Sequence, residues 1–274
     1  MKFVRYGEAG AEKPGVLDAE GRIRDLSGQV ADLGGDALTR LDGFTADGPV
    51  VGGNPRLGPP VAGTGKIVCI GLNYADHAAE TGATPPPEPL IFMKATSAIT
   101  GPTDTIYIPR GSAKTDWEVE LGVVIGRPAK HVEEADALAH VAGYVAVNDV
   151  SERDYQKHRA GQWTKGKSCD SFAPLGPWLV TPDEIGDPQA LGLRLSVNGQ
   201  LRQDGSTRQM IFGVARLISY LSGFFTLHPG DIIATGTPPG VGAGMSPPRF
   251  LAPGDEVVLE IDGLGQQRMQ VAQG

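Results

Sequence analysis

Asp116, Glu118 and Glu120 stand at alternate positions on the way into the apolar run Leu121-Gly122-Val123-Val124-Ile125. Side chains of a strand alternate faces, so the three acids share one face while Trp117, Val119 and Leu121 take the other. Like charges about 7 Å apart on a strand that enters a core repel each other, and a hard divalent cation is the simplest counter-charge. A solvated edge face is the ordinary alternative for such a row. Asp149 closes the apolar run Val145-Ala146-Val147-Asn148 and offers a third carboxylate, although a strand-end turn suits it equally. Carboxylates without clustered His or Cys favour Mg²⁺, Mn²⁺ or Ca²⁺ over Zn²⁺.

Further groups are suited to proton transfer and anion binding. If the segment Asn73 to Gly82 coils, His77 and Glu80 face each other three positions apart. A carboxylate beside an imidazole fixes its tautomer and makes it a good base for activating water, where an ordinary surface pair is the plainer reading. The proline-rich run Pro85 to Pro89 follows at once, so this segment is a candidate mobile lid. Lys165 and Lys167 stand among small residues, where a lysine can hold a substrate carboxylate or an enolate oxygen, form a Schiff base, or simply be solvated. The Gly-rich stretch Thr235 to Gly242 lacks the Gly-Lys-Ser/Thr ending of a P-loop and carries prolines where a helix should start, which excludes nucleotide binding of that type. Its backbone N–H groups still suit a small carboxylate.

The elements that position these groups read as mostly β. Lys66 to Gly71 is a short buried strand. Asp18-Ala19-Glu20-Gly21 separates Val16-Leu17 from Ile23 as a hairpin turn, and Asn198-Gly199 between alternating apolar residues is a strong hairpin signal. Glu260 to Leu264 looks similar, and Pro-Gly-Asp precedes a strand at 229–231 and again at 253–255. The stripe Val214, Leu217, Ile218 and Leu221 predicts a helix over about Thr207 to Ser222, with a shorter one over Glu133 to Ala139. The pattern is not the regular strand–helix alternation of a Rossmann or TIM fold. It predicts a mainly β (α+β) fold with peripheral helices, with a small β-rich module over residues 1–62, a Gly/Pro-rich linker over 48–65, and a catalytic domain over 63–274.

Composition narrows the partners. The net charge is -8 and no basic block occurs, which argues against nucleic acid and anionic membranes. No apolar run reaches the ~18 residues of a membrane span, and the N-terminal residues lack the apolar core of a signal peptide. Two scattered cysteines, Cys69 and Cys169, suit a reducing cytoplasm and cannot form a thiolate zinc site alone.

Taken in order, six motifs resemble the fumarylacetoacetate hydrolase family from about Lys66 to Leu264. They are Ile70 to Glu80, Phe92-Met93-Lys94, Asp116 to Gly122, Asn148 to Gln156, Lys165 to Ser168, and Pro229 to Gly242. The resemblance implies a β-roll catalytic domain, a small N-terminal domain and a homodimer. It implies that Glu118, Glu120 and Asp149 hold Mg²⁺ or Mn²⁺, that His77 and Glu80 ride on a lid that orders over substrate, and that Lys167 is the active-site lysine. Lys94, Arg153, Gln156 and Thr237 match positions that touch substrate or the metal shell.

The family acts on small molecules with a 2-oxo acid head. The flanking sequence, notably Gly161 to Asp170 and Gly205 to Val214, is most similar to bacterial sugar-acid enzymes. That similarity implies metal-dependent hydrolysis of 2,4-diketo-3-deoxy-L-rhamnonate or -fuconate to pyruvate and lactate. Decarboxylation or isomerisation of a 2-oxo acid on the same metal platform, a Schiff-base aldolase on Lys167, and a metal-stabilised binding module are the alternatives.

Overall fold

The computed structural model describes residues 1–80, 82 and 84–274. Fourteen strands carry the architecture: β1 (Lys2–Tyr6), β2 (Lys13–Leu17), β3 (Ile23–Asp25), β4 (Ile67–Gly71), β5 (Leu90–Lys94), β6 (Ile106–Ile108), β7 (Val119–Ile125), β8 (Val141–Asn148), β9 (Leu179–Val180), β10 (Gly192–Val197), β11 (Gln200–Ser206), β12 (Ile232–Ala234), β13 (Glu256–Ile261) and β14 (Gly265–Gln273). Three helices carry site residues, α1 (Ala75–Glu80), α2 (Arg153–His158) and α3 (Thr164–Lys167), and a longer one, α4 (Val214–Phe224), packs into the hydrophobic core.

The main sheet runs β3-β2-β1-β9-β8-β7-β12-β4-β5, and a five-stranded sheet runs β11-β10-β13-β14-β6. Neighbours are antiparallel except β12 with β4 and β14 with β6, which pair in parallel. This is the mainly β fold with peripheral helices that the turn chemistry predicts. Strands β4, β7 and β12 are buried along their whole length, which explains why they read as unbroken apolar runs rather than alternating ones. Residues 1–62 supply β1 to β3, which extend the main sheet where Phe3 of β1 pairs with Leu179 of β9. Phe3, Val16 and Leu26 belong to the same hydrophobic cluster as Ile67, Val123 and Leu259.

The hairpins at Asp18–Gly21 and Asn198–Gly199 form, and Asn198 and Gly199 both take positive φ (51° and 74°), as a tight type I′ turn requires. Two expectations need correction. The helix expected over Thr207–Ser222 is split into a 3-10 turn at Thr207–Gln209 and α4. Its middle cannot coil because the N–H groups of Ile211 and Phe212 donate to the backbone and side-chain oxygens of Asn73. The segment after Glu133 winds as a 3-10 helix, Glu134–His140. Continuous pairing along the acid-bearing strand also starts later than expected. Asp116 pairs with Ser151 in a separate two-stranded ribbon, and β7 begins at Val119.

Candidate metal centre and active site

Strands β7 and β8 bring the acids together. Val119 lies opposite Asn148, so Glu118 and Asp149 sit just outside the last pair, and the Asp149 N–H donates to the Glu118 carbonyl at 2.9 Å. Alternation then turns Glu120 to the same side as Glu118. One ligand oxygen from each of Glu118, Glu120 and Asp149 lies within 4.8 Å of the others, and all three residues are buried. Asp116, the first acid of the row, stands apart from this group. Its oxygens accept from the N–H groups of Gly242 (2.7 Å) and Ala243 (2.9 Å) and from Arg153 Nε (2.8 Å).

Protein cations answer most of the buried charge. Lys167 Nζ is 2.7 Å from both Glu118 Oε2 and Asp149 Oδ2. Lys94 Nζ lies 2.5 Å from Asp149 Oδ1, and Arg153 Nη2 lies 2.6 Å from Glu118 Oε1. Burial alone would raise the Glu118 carboxyl, but Lys167 and Arg153 outweigh it and hold it down to about 2. Burial would lower Lys167, yet its Asp149 and Glu118 partners carry it up to about 12. A lysine held protonated in this way is a poor Schiff-base nucleophile.

Glu120 differs. It accepts the Gly236 N–H at 2.9 Å, and burial, with Asp149 and Glu118 as like charges, pushes its carboxyl well above the usual range. Four buried acids (Asp116, Glu118, Glu120, Asp149) thus meet three buried cations (Lys94, Arg153, Lys167). A hard divalent ion fits this donor set of three carboxylates and supplies the charge that Glu120 lacks.

A cavity of about 280 Å³ opens beside the acids. His77, Glu118, Glu120, Arg153, Gln156, Lys167 and Thr237 line it. On α1, His77 Nδ1 is 3.1 Å from Glu80 Oε2, the i, i+3 pairing that the spacing predicts. With Nδ1–H directed at the carboxylate, Nε2 is the basic nitrogen. Glu80 also accepts the Gly240 N–H at 3.1 Å, which docks α1 on the Gly-rich turn. Thr81, within the expected lid, lies outside the described residues.

Two expected substrate contacts are occupied otherwise. Lys94, its side chain wholly buried, holds Asp149 and the Val150 carbonyl and does not line the cavity. The Thr237 hydroxyl donates to the Val119 carbonyl (2.9 Å) and accepts from Gln203 Nε2 (2.7 Å), so it joins the cavity floor to β7 and β11. Arg153 and Gln156 join each other through Nη1 and Oε1 at 3.0 Å.

Sequence reasoning missed the apolar walls and Lys157. Phe92 and Trp163 pack at 5.4 Å between ring centroids, and Leu72 lines the cavity with a positive φ of 52°, uncommon for a branched residue. The signal for Trp163 was its place four residues before Lys167 on one helical face, and for Lys157 its place four residues after Arg153.

A family model described as fumarylacetoacetate (FAA) hydrolase C-terminal matches residues 66–272. A 2,4-didehydro-3-deoxy-L-rhamnonate hydrolase from a Sphingomonas species is 56% identical over 275 residues, covering 100% of this chain and 96% of its own. Among solved structures, the fumarylacetoacetate hydrolase from Exiguobacterium antarcticum superposes with a TM-score of 0.87 at 38% identity, covering 100% of both chains. A maleylpyruvate hydrolase from a Sphingobium species, solved with manganese(II) and pyruvate, does so with a TM-score of 0.81 at 29% identity, again over 100% of both chains.

Proposed function

The chain belongs to the fumarylacetoacetate hydrolase family, and on that premise we propose that it is a metal-dependent hydrolase that cleaves the C3–C4 bond of a 2,4-diketo acid. The substrate that fits best is 2,4-diketo-3-deoxy-L-rhamnonate, or the -fuconate, with pyruvate and lactate as products. The observation that carries this reading is that His77, paired with Glu80, lines the same cavity as Glu118 and Glu120, two of the three clustered buried acids that Asp149 completes. The similarity to the Sphingomonas enzyme supports the choice of sugar acid.

Glu118, Glu120 and Asp149 would hold Mg²⁺ or Mn²⁺, which would supply Lewis-acid polarisation of the 2-oxo acid head. His77 takes a proton from water, and Glu80 holds the imidazole in the required tautomer. Hydroxide adds to C4, the C3–C4 bond breaks, and its electron pair passes to the pyruvate enolate. The proton that His77 holds is then available to C3. Protonated Lys167 lies beside Glu118 and Asp149 and stabilises negative charge developing on the head. Decarboxylation and isomerisation need no attacking water, so neither requires a water-activating pair such as His77–Glu80.

The same family resemblance supports a homodimer, which sedimentation would read. Both cysteines are free, in keeping with a reducing cytoplasm, and among the described residues no helix is long and apolar enough to cross a membrane.

The test is pyruvate release from 2,4-diketo-3-deoxy-L-rhamnonate and from a simple acylpyruvate, with Mg²⁺ and then with EDTA. Metal-dependent release is expected from both, faster from the sugar acid. His77→Ala should lower kcat by about 10²- to 10⁴-fold. No release from either compound would overturn the hydrolase reading.

A further inference from the structure

Helix α2 carries Arg153, Gln156 and Lys157 at positions i, i+3 and i+4, so the three share one face, and all three line the cavity. They differ in depth. Arg153 is 7% exposed and Gln156 4%, whereas Lys157 is exposed to solvent. The acids mark the closed end, since Glu120 is 1% and Asp149 0% exposed. Phe92, Trp163 and Leu72 supply apolar wall to the same cavity. A 2-oxo acid whose head lies at the acids must therefore run its tail toward the open end, where α2 presents Lys157.

The charge pairing sets Lys157 apart. Arg153 is committed to Asp116 and Glu118, and Lys167 to Glu118 and Asp149. Among the described residues, Lys157 is the cavity-lining lysine or arginine with no ion pair and no side-chain hydrogen bond. An ammonium at the end of an apolar passage favours a terminus that accepts a hydrogen bond or carries negative charge over an alkyl one.

We propose that Lys157 is the specificity-determining residue for the far end of the substrate, donating to a hydrogen-bond acceptor there, which is the C5 hydroxyl in the sugar acid above and a carboxylate in the diacid probe below. The proposal deepens the reading of the cavity as a 2-oxo acid site and rests on it. The test uses two non-reacting six-carbon 2-oxo acids that differ only at the terminus, 2-oxoadipate and 2-oxohexanoate. Each is titrated calorimetrically into the full-length protein with Mn²⁺ present. Wild type should bind 2-oxoadipate about fivefold more tightly, the size expected of a partly solvated ion pair. Lys157→Gln should bring the ratio to about 1, and Lys157→Glu should invert it. Equal affinity of wild type for both acids, or a preference that survives Lys157→Gln, overturns the proposal while leaving the 2-oxo acid site intact. Binding of neither acid overturns both.

Discussion

Glu120 is buried and opposed by two other carboxylates, and both effects favour its protonated form over the ionised one that the Gly236 N–H would stabilise. The linkage follows from that direction. Below the ordinary value of 4.5 the group is protonated whether the chain is folded or not and contributes nothing. As pH rises past 4.5 the unfolded chain releases the proton while the folded, metal-free protein keeps it, so folded stability falls toward the raised value. Metal ligation requires the ionised form, so binding of Mg²⁺ or Mn²⁺ at a pH where the metal-free Glu120 is still protonated should release a proton. Calorimetry in buffers of different ionisation enthalpy measures that release. Glu120→Gln should abolish it, together with the rise in Tm that the metal gives wild type. In EDTA the same variant should melt at or above the wild-type temperature, because a buried repulsion has been removed. A variant that still releases the proton would place the metal elsewhere.

At the scale of elements, the turn Gly240–Gly244 joins the parts of the site. Glu80 of α1 accepts from Gly240, and Asp116 accepts from Gly242 and Ala243 while holding Arg153. Asp116→Ala removes the acceptor of the Trp117, Gly242 and Ala243 N–H groups and leaves Arg153 with one acid fewer. It should cost about 3–5 kcal/mol in urea unfolding, and a loss below about 1 kcal/mol would show that the turn holds without it. The sequence carried part of this arrangement. Alternation from Glu118 to Glu120 and the i, i+3 spacing of His77 and Glu80 are local, so strand and helix periods reveal them. The partners of Asp116 are not local. Gly242 lies 126 residues away, and nothing in either segment announces the contact. For the same reason the helix expected from Thr207 begins late, at Val214. Its periodicity is sound from Val214 onward, but Asn73, 139 residues distant, takes the Phe212 N–H. Lys94 shows the complementary gap, since its motif marks it as part of the site and only the fold sets it behind Asp149 rather than at the cavity wall.

For the whole molecule the open question is whether residues 1–62 fold by themselves. The family model begins at residue 66, which marks a boundary in sequence. The packing does not follow it. Lys2 and Phe3 of β1 pair with Val180 and Leu179 of β9, the Met1 amino group bonds Thr181, and Arg56 grips Asp104. Phe3, Val16, Leu33 and Phe44 lie in one hydrophobic cluster with residues of β4, β7, β8 and β13. Removing residues 1–62 would open the β9 edge and expose that apolar surface, at roughly 25 cal/mol per Å². The chain should therefore unfold as one cooperative unit. Native-state hydrogen exchange tests this directly. Amides of β1 should open with the same free energy and the same urea dependence as those of β7 and β8. Exchange of β1 and β2 at markedly lower free energy, with β7 and β8 still protected, would instead make residues 1–62 a separate folding unit docked on the catalytic sheet.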